Sequence, residues 1–473
     1  MKVRLTGANP YLPLWEHIPD GEPRLFTYNG EQRVYVYGSH DTLKTEYCGT
    51  DYVVWSAPAD DLTSWRYEGV CWKSMSGKPL FAPDVVEKDG TYYMYVAENW
   101  GQKIYVASSK NPAGPFENPV LTELGFDPGV LVDDDGRVYA YWGFCECNGA
   151  ELNDDMATIK KETLVQHMIP HTYPLAIVEE PEYEHVDKEY CFLEASSIRK
   201  VHGKYVYIYS KRIYEADPEL GLDKDTNSYL CYVYSDSPLG GWKNGGTFSY
   251  CCGDIYIKPN GQKAREYYHC NNHGSIVDVN GQWYVFYHRR TGENEFSRQG
   301  LLEPIDAAVD KDGNVHLGRV AYNNDGDPIS HEAAEMTSQG AYVNGIDAYK
   351  IISAGYTCCI LPAKDGSRAY IMPVYDSDSS PIVNISSGTV IGFKYLQFGD
   401  VSPESVTINA PDFESGTITV TIDSPDGKLV AELKNGAQKA ALTEPVTGKH
   451  AVYFTFTADD RDICTFDTFT FDR

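Results

Sequence analysis

The chain has 473 residues, enough for about three domains at roughly 150 residues each, or two if one is a large β fold. Forty Lys and Arg against 68 Asp and Glu give a net charge of −28, which excludes nucleic acid and anionic membranes as partners by repulsion. A composition 42% hydrophobic and 23% charged excludes wholesale disorder, and no run of 18 apolar residues offers a membrane span. Aromatic residues reach 13%, with 37 Tyr, which suits pleated, half-wet surfaces and flat ring faces better than helical bundles.

The opening residues, Met1 to Pro10, lack an apolar core long enough for a signal peptide, so a cytoplasmic protein is expected, or a secreted one whose leader has been removed. From there five segments share one pattern. They begin at Asp20 (Pro19-Asp20-Gly21-Glu22-Pro23), Asp84 (Ala82-Pro83-Asp84), Asp127 (Phe126-Asp127-Pro128), Glu194 (Glu194-Ala195-Ser196-Ser197) and His273 (Asn272-His273-Gly274-Ser275). Each head leads a short strand and a second strand of alternating aromatic and β-branched residues. Turns at Asp89-Gly90, Asp135-Gly136, His202-Gly203 and Asn280-Gly281 mark these pairs as β-hairpins. Further strand-like runs follow each pair, such as Lys103–Ala107 and Tyr229–Tyr234. Four strands in each of five units predict a five-bladed β-propeller, with loop insertions behind the uneven spacing of the heads. Residues 154–165 carry the one short helix expected before the linker.

The innermost strand of a propeller blade lines the axis, so five heads would converge at one mouth, four carboxylates and a histidine. The competing reading is that these acids cap turns or bridge neighbouring blades. Asn323-Asn324-Asp325-Gly326-Asp327-Pro328 breaks the strand pattern and predicts a boundary, with a propeller over 1–325. Beyond it, runs such as Thr389–Tyr395, Gly416–Ile422 and His450–Phe456 predict a β-sandwich over 340–473. The 12 cysteines form no CxxC pair, which disfavours zinc-ribbon and thioredoxin-type sites and predicts reduced, partly buried thiols. His331-Glu332-Ala333-Ala334-Glu335 misses the zinc-protease HExxH at its fifth position and carries no weight.

Carboxylates paired across a sugar ring are the apparatus of glycosidic-bond hydrolysis: one is protonated to release the leaving oxygen, the other is ionised. Mutual repulsion and burial keep one proton in place. The five head motifs, taken as an ordered set from about Asn9 to about Ala321, resemble glycoside hydrolase family 43. The resemblance implies a five-bladed propeller that cleaves terminal arabinofuranosyl or xylosyl residues from plant-polysaccharide-derived oligosaccharides with inversion. It implies Asp20 as general base, Asp127 as the residue that tunes and orients the acid, and Glu194 as general acid. The alternatives are an endo-acting arabinanase or xylanase and a non-catalytic sugar-binding propeller. Asp-Gly at the first head and Glu-Ala-Ser-Ser at the fourth depart from the family's usual Asp-Pro and Glu-Gly-Pro, which bears on substrate more than on chemistry.

Asp84 and Arg298 are expected to meet the sugar, Arg298 by its likeness to a family arginine; its other reading is a surface Arg in a polar loop. Trp100 and Trp142, with Trp15, stand near the ends of head segments where an indole could stack on a sugar, although any one such residue is more often core than subsite wall. His273 reads two ways, as the holder of a hydrated calcium on the axis or as a hydrogen-bonded His without metal. No cofactor is implied as required; a structural calcium is the option the resemblance adds. An oligosaccharide is the expected partner, with no nucleic acid and no membrane, and the sequence sets no oligomeric state. The C-terminal segment resembles a family 6 carbohydrate-binding module. All 8 Trp lie at or before Trp283, so it has none to stack on a sugar, and a buttressing sandwich is favoured.

Overall fold

Four dipeptides, Asn29-Gly30, Asp89-Gly90, His202-Gly203 and Asn280-Gly281, hold positive φ at both residues, between 47° and 85°. That is the backbone of a two-residue hairpin turn whose twist matches its strands. The computed structural model describes residues 5–43, 45–169, 189–213, 215–223, 226–258, 260–459 and 462–473.

Each turn opens a blade. The first contains β1 (Glu22–Tyr28), β2 (Glu31–Tyr37), β3 (Asp51–Pro58) and β4 (Arg66–Lys73), and the second β5 (Phe81–Lys88), β6 (Thr91–Ala97), β7 (Lys103–Ser109) and β8 (Glu117–Leu121). The third has three strands, β9 (Gly129–Val132), β10 (Val138–Trp142) and β11 (Asn148–Glu151). The fourth has β12 (Phe192–Val201), β13 (Lys204–Ile213), β14 (Thr226–Ser235) and β15 (Lys243–Tyr250), followed by a small hairpin, β16 (Ile255–Ile257) with β17 (Lys263–Arg265). The fifth has five, β18 (Ser275–Val279), β19 (Gln282–Arg290), β20 (Arg298–Val309), β21 (Val315–Tyr322) and β22 (Pro328–Glu332). The inner strands β1, β5, β9, β12 and β18 touch in a closed ring, with a parallel bridge from Gly21 to Gly274 where the chain's first and last blades meet. The expected five blades are present, while the expected four strands per blade hold for three of them.

The tyrosines explain their own abundance. Tyr37 of β2 donates its hydroxyl to the Pro112 carbonyl of the second blade (2.6 Å), Tyr95 of β6 to Met156 beyond the third (2.9 Å), and Tyr141 of β10 to Pro238 in the fourth (2.7 Å). Each ring fills the apolar layer between two blades, and its buried hydroxyl meets a carbonyl on the next blade. Burial pushes all three phenols well above their ordinary pKa, so they remain donors.

Two sequence expectations fail here. Residues 154–160 form no helix, because Asp155 Oδ1 accepts the N–H groups of Ala157 and Thr158 at 3.0 and 2.9 Å; only Lys161–Thr163 makes a 3-10 turn. The expected boundary at 323–328 is the hairpin turn between β21 and β22. Asn323 Oδ1 accepts N–H groups from Asp325 and Asp327 (2.9 Å each), and Gly326 takes φ 86°. An Asn/Asp/Gly cluster encodes a tight turn as readily as a linker.

The chain divides into two compact units: Ile18–Arg289 with Pro304–Glu335, and the segment up to His17 with Arg290–Glu303 and Met336–Arg473. A cut at a single sequence position, as expected from 1–325 and 340–473, misses this interleaving. In the second unit Asn9 Nδ2 donates to Leu302 O (2.7 Å) and Glu303 Oε1 (2.8 Å), and Leu302 N donates back to Asn9 Oδ1 (3.1 Å).

The second unit carries strands β23 (Ile346–Asp347), β24 (Ile352–Ser353), β25 (Cys359–Leu361), β26 (Tyr370–Ile371), β27 (Ile382–Val383) and β28 (Val390–Gln397). They are followed by β29 (Ser405–Asn409), β30 (Thr417–Ile422), β31 (Lys428–Lys434), β32 (Lys439–Ala441), β33 (Lys449–Thr457) and β34 (Thr468–Asp472). One sheet runs β23-β28-β33-β30-β31 with β25 on β28, and the other runs β24-β34-β29-β32. Phe393, Phe454, Phe466, Phe469 and Phe471 are all buried, with Phe393 and Phe454 on the first sheet stacking on Phe469 of the second at 4.6 and 4.9 Å. This is the expected sandwich, filled by aromatics. None of the 12 cysteines is in a disulfide, and Cys270 alone is more than slightly exposed. Among the described residues no helix is long and apolar enough to cross a membrane.

Candidate active site

Asp20 stands immediately before β1 with φ 58°, a left-handed backbone that non-glycine residues adopt at a cost of about 1–3 kcal/mol. Three contacts hold it there. Ser39 Oγ donates to Oδ2 at 2.6 Å, the Asp20 N–H donates to His288 Nδ1 at 3.1 Å, and the same Nδ1 lies 3.4 Å from Oδ1. A Cβ on Gly38 would lie 2.3 Å from the Pro19 carbonyl, so only glycine lets β2 pass this close behind the aspartate.

Asp127 repeats the arrangement ahead of β9, with φ 50°. Its Oδ2 accepts the N–H of Ala195 at 3.0 Å and lies 3.7 Å from His273 Nδ1. Ala195 itself takes φ 70°, and the β12–β13 register slips on both sides of Glu194, so Glu194 sits on a bulged stretch that re-aims its side chain. Asn227 Nδ2 donates to Glu194 Oε1 at 2.9 Å, and Glu194 keeps partial exposure while Asp20 and Asp127 are only 5% and 4% exposed.

These contacts connect the heads. Asp20 precedes Gly21, which bridges Gly274; His273 precedes Gly274 and faces Asp127; Asp127 holds the residue after Glu194. With Gly21 bridged to Gly274, His273 Nδ1 3.7 Å from Asp127, and Asp127 bonded to the residue after Glu194, the three carboxylates and His273 share one end of the ring.

Asp84 differs. It lies four residues before the end of its strand's hairpin arm, as do Arg24, Ser197 and Ser275 in theirs, and so belongs one level deeper in the channel. There Arg24 Nη2 contacts both of its oxygens (2.6 and 2.7 Å), and the Val130 N–H donates to Oδ2 at 2.7 Å. Asp84 is 0% exposed, so the expectation that it meets the sugar is corrected: it is an inter-blade tie. Ser197 and Ser275 hydrogen-bond each other at 2.7 Å on the same level. Close by, Arg199 Nη2 donates to Glu22 Oε2 (2.7 Å) and to Pro23 O (3.0 Å). Burial raises the Glu22 pKa even against the attraction of Arg199. The channel below the heads is thus filled with paired charges.

Trp142 is also corrected. It is 9% exposed and packs in the core between the second and third blades, with its indole where a Gly125 side chain would otherwise lie. Trp100 is 36% exposed, in a turn at Glu98–Gly101 where it and Asn99 both have φ 55°. Its Nε1 donates to Glu46 Oε2 (3.2 Å), and Lys78 Nζ lies 5.0 Å from the ring centre. Trp15 stacks on Tyr375 at 4.8 Å within the second unit. Arg298 is 1% exposed at the start of β20 and belongs to the second unit, which removes the reading of a surface arginine.

Four contributors were not expected from the sequence: Ser39, His288, Asn227 and Phe144. His288 follows the aromatic run Trp283–Tyr287 on β19, and a polar residue closing such a run on the second strand of a blade is the signal that could have found it. Phe144 is 41% exposed and stacks edge-on against Phe126 (5.4 Å), which stacks on Phe81 (5.9 Å); these rings flank Asp127 from the side of Gly101, whose Cβ position touches Phe126.

Carboxylates gathered at one end of a five-bladed ring, beside partly exposed aromatic rings, define the class as a glycosidase working by acid–base chemistry. The profile of glycosyl hydrolases family 43 matches residues 22–314, and that of the family 6 carbohydrate binding module matches residues 363–473. A xylosidase/arabinosidase of Thermoclostridium stercorarium is 33% identical over 500 residues, covering 96% of this chain and 97% of that one. An arabinoxylan arabinofuranohydrolase of Paenibacillus polymyxa is 26% identical, covering 94% and 71%. Among solved structures, a family 43 arabinoxylan arabinofuranohydrolase from Bacillus subtilis in complex with cellotetraose is 22% identical with a TM-score of 0.47, covering 100% of this chain and 99% of that one. The chain belongs to glycosyl hydrolases family 43, with a family 6 carbohydrate-binding module at its C-terminus. It is therefore an inverting glycoside hydrolase, of a family that needs no cofactor.

Proposed function

We propose that the protein releases terminal arabinofuranosyl or xylosyl residues from oligosaccharides of plant polysaccharide origin, with Glu194 as general acid and Asp20 as general base. The observation that carries the roles is the chain of contacts from Asp20 through Gly21, Gly274, His273 and Asp127 to the backbone after Glu194. The names of the relatives support the pentose substrates.

Glu194 is the most exposed of the three heads, as a proton donor that must reach a leaving oxygen requires, and Asn227 Nδ2 fixes its Oε1. An ionised Asp127 on the next peptide disfavours a second negative charge there. Asp20, held ionised by the Ser39 hydroxyl, takes a proton from the attacking water on the opposite face of the sugar. In an inverting enzyme the two working carboxyls are about 6.5–9.5 Å apart to leave room for that water. Phe126, Phe144 and Trp100 would offer ring faces to the sugar; the role given to Arg298 rests on its motif alone.

Calcium fits the neighbourhood of His273 only through water. Among the described residues no three His, Cys, Asp or Glu side chains are grouped to hold a metal, yet Asn271 Oδ1 and Asn272 Oδ1 are buried without a hydrogen-bond partner. A hydrated hard cation would suit those oxygens, with His273 beside it, and would fix the ring that faces Asp127.

The test is a product profile on arabinan, xylan and their oligosaccharides, with the anomer released followed by proton NMR. Free pentose of inverted configuration, lost in Glu194→Gln and in Asp20→Asn, is expected. Oligomeric products would favour the endo reading, and activity retained in Glu194→Gln on unactivated xylobiose or arabinobiose would remove Glu194 from the acid's role.

A further inference from the structure

The last hairpin of the fifth blade holds a pair of histidines that the chemistry above does not use. His316 on β21 and His331 on β22 face each other with their Nδ1 atoms 3.3 Å apart and their rings inclined at 69°. The proton positions follow from their outer nitrogens. His316 Nε2 lies 3.4 Å from Asp310 Oδ2, and that carboxylate already accepts from Asn314 N (2.8 Å), Asn314 Nδ2 (2.9 Å) and Asp312 N (2.9 Å), so it has no proton to give. His331 Nε2 lies 3.5 Å from Tyr232 Oη. The Tyr232 proton is already committed to the Val315 carbonyl at 2.7 Å, so here too the imidazole nitrogen is the donor. With both Nε2 atoms protonated, two Nδ1 lone pairs face one another, an arrangement that repels unless something positive stands between them.

We propose that His316 and His331 form a two-imidazole site for a borderline divalent cation of the zinc, nickel or copper type, pinning β22 to β21. Two nitrogens each about 2.0–2.1 Å from one tetrahedral zinc are about 3.3–3.4 Å apart, the separation observed. Each ring has its far nitrogen anchored on oxygen, His316 on a carboxylate, as metal-bound histidines do. Imidazole pairs select these metals over magnesium and calcium, which take oxygen. Among the described residues no third His, Cys, Asp or Glu converges here, so water fills the remaining positions, and the His316 side chain, 12% exposed, leaves a solvent path. The HExxH-like run thus begins on the last two residues of β22, and its histidine faces a partner 15 residues earlier.

The test uses the full chain, stripped with chelator, titrated calorimetrically with zinc chloride and, separately, magnesium chloride. One zinc per chain is expected to disappear in His316→Gln and in His331→Gln, with magnesium inert and glycosidase activity unchanged. Asp310→Asn is expected to weaken binding about 10–100-fold. A zinc-soaked crystal should show an anomalous peak about 2.0–2.1 Å from both Nδ1 atoms. Equal zinc stoichiometry in the wild type and His316→Gln, or no peak between the rings, overturns the site and leaves a proton shared between two imidazoles. Should His331→Gln fail to fold, His316→Gln and the soaked crystal still decide it.

Discussion

The carboxylate of Asp127 accepts the backbone N–H of Ala195 at 3.0 Å, so the third blade holds the peptide that follows Glu194 in the fourth. One contact therefore does two things: it fixes the bulge that aims Glu194, and it brings a negative charge to the neighbourhood of the proposed acid. The two effects are separable by substitution.

Asp127→Asn keeps an oxygen that can accept the Ala195 N–H but removes the charge. The acid then gives up its proton more easily, and because it must be protonated to work, the alkaline limb of kcat/KM against pH moves to lower pH. Asp127→Ala loses the contact as well and should lower kcat further. A pH–rate profile with an unmoved alkaline limb in Asp127→Asn would separate Asp127 from the acid.

Ser39→Ala deletes a 2.6 Å hydrogen bond to Asp20 Oδ2. A hydrogen bond to an ionised group favours that form, so its loss raises the pKa of the base. The base must be ionised, and the acidic limb of the profile should move to higher pH. At about 1.5–3 kcal/mol for a charged hydrogen bond, the shift is about 1–2 pH units. Ser39→Thr, which keeps the hydroxyl, is expected to restore part of the profile.

Arg24→Met leaves Asp84 buried without its cation. Breaking a buried pair from one side costs about 3–5 kcal/mol, read as a lower urea midpoint. The partner substitution Asp84→Asn should destabilise as well, with KM of the surviving folded fraction unchanged. A raised KM at wild-type stability would return Asp84 to the sugar.

Tyr141→Phe removes a hydroxyl that ties the third blade to the Pro238 carbonyl in the fourth. The expected loss is about 0.5–1.5 kcal/mol of unfolding free energy with kcat/KM unchanged, measured by urea unfolding and a chromogenic pentoside assay.

Glu194→Gln should cost about 10²–10⁴-fold on xylobiose, where the leaving sugar needs a proton, and much less on an aryl pentoside with an acidic phenol. An equal loss on both substrates would mean that Glu194 serves binding and not proton transfer.

The hairpins were readable because a dipeptide such as Asn280-Gly281 carries its own conformation: positive φ at both positions is a local property. The five heads were readable as polar residues that open the strand ahead of such turns, five to nine positions before them. Asp84 was misread because the repeat was aligned on its motif. In strands, residues two apart face the same way at different depths, and only pairing register separates them. Trp142 was misread because an indole at a strand end looks alike in sequence whether its neighbours are solvent or the side chains of Val130 and Ala150. Asn323–Asp327 looks like a domain boundary in sequence because nothing local reveals that Pro328 returns to pair with Tyr322.

By itself, then, the sequence determined the β-hairpin repeat, the carboxylate chemistry and the apolar alternation of the sandwich strands, since each follows from backbone preference or side-chain type over a few residues. The tertiary structure decided which carboxylates stand at the open end of the ring and which are tied off by Arg24 and Arg199 below. It also decided that the segment before Ile18 folds with residues far along the chain. Those outcomes depend on contacts between residues far apart in the chain, such as Asn9 with Thr337, 328 positions away, and long-range pairing leaves no mark on the local sequence that makes it.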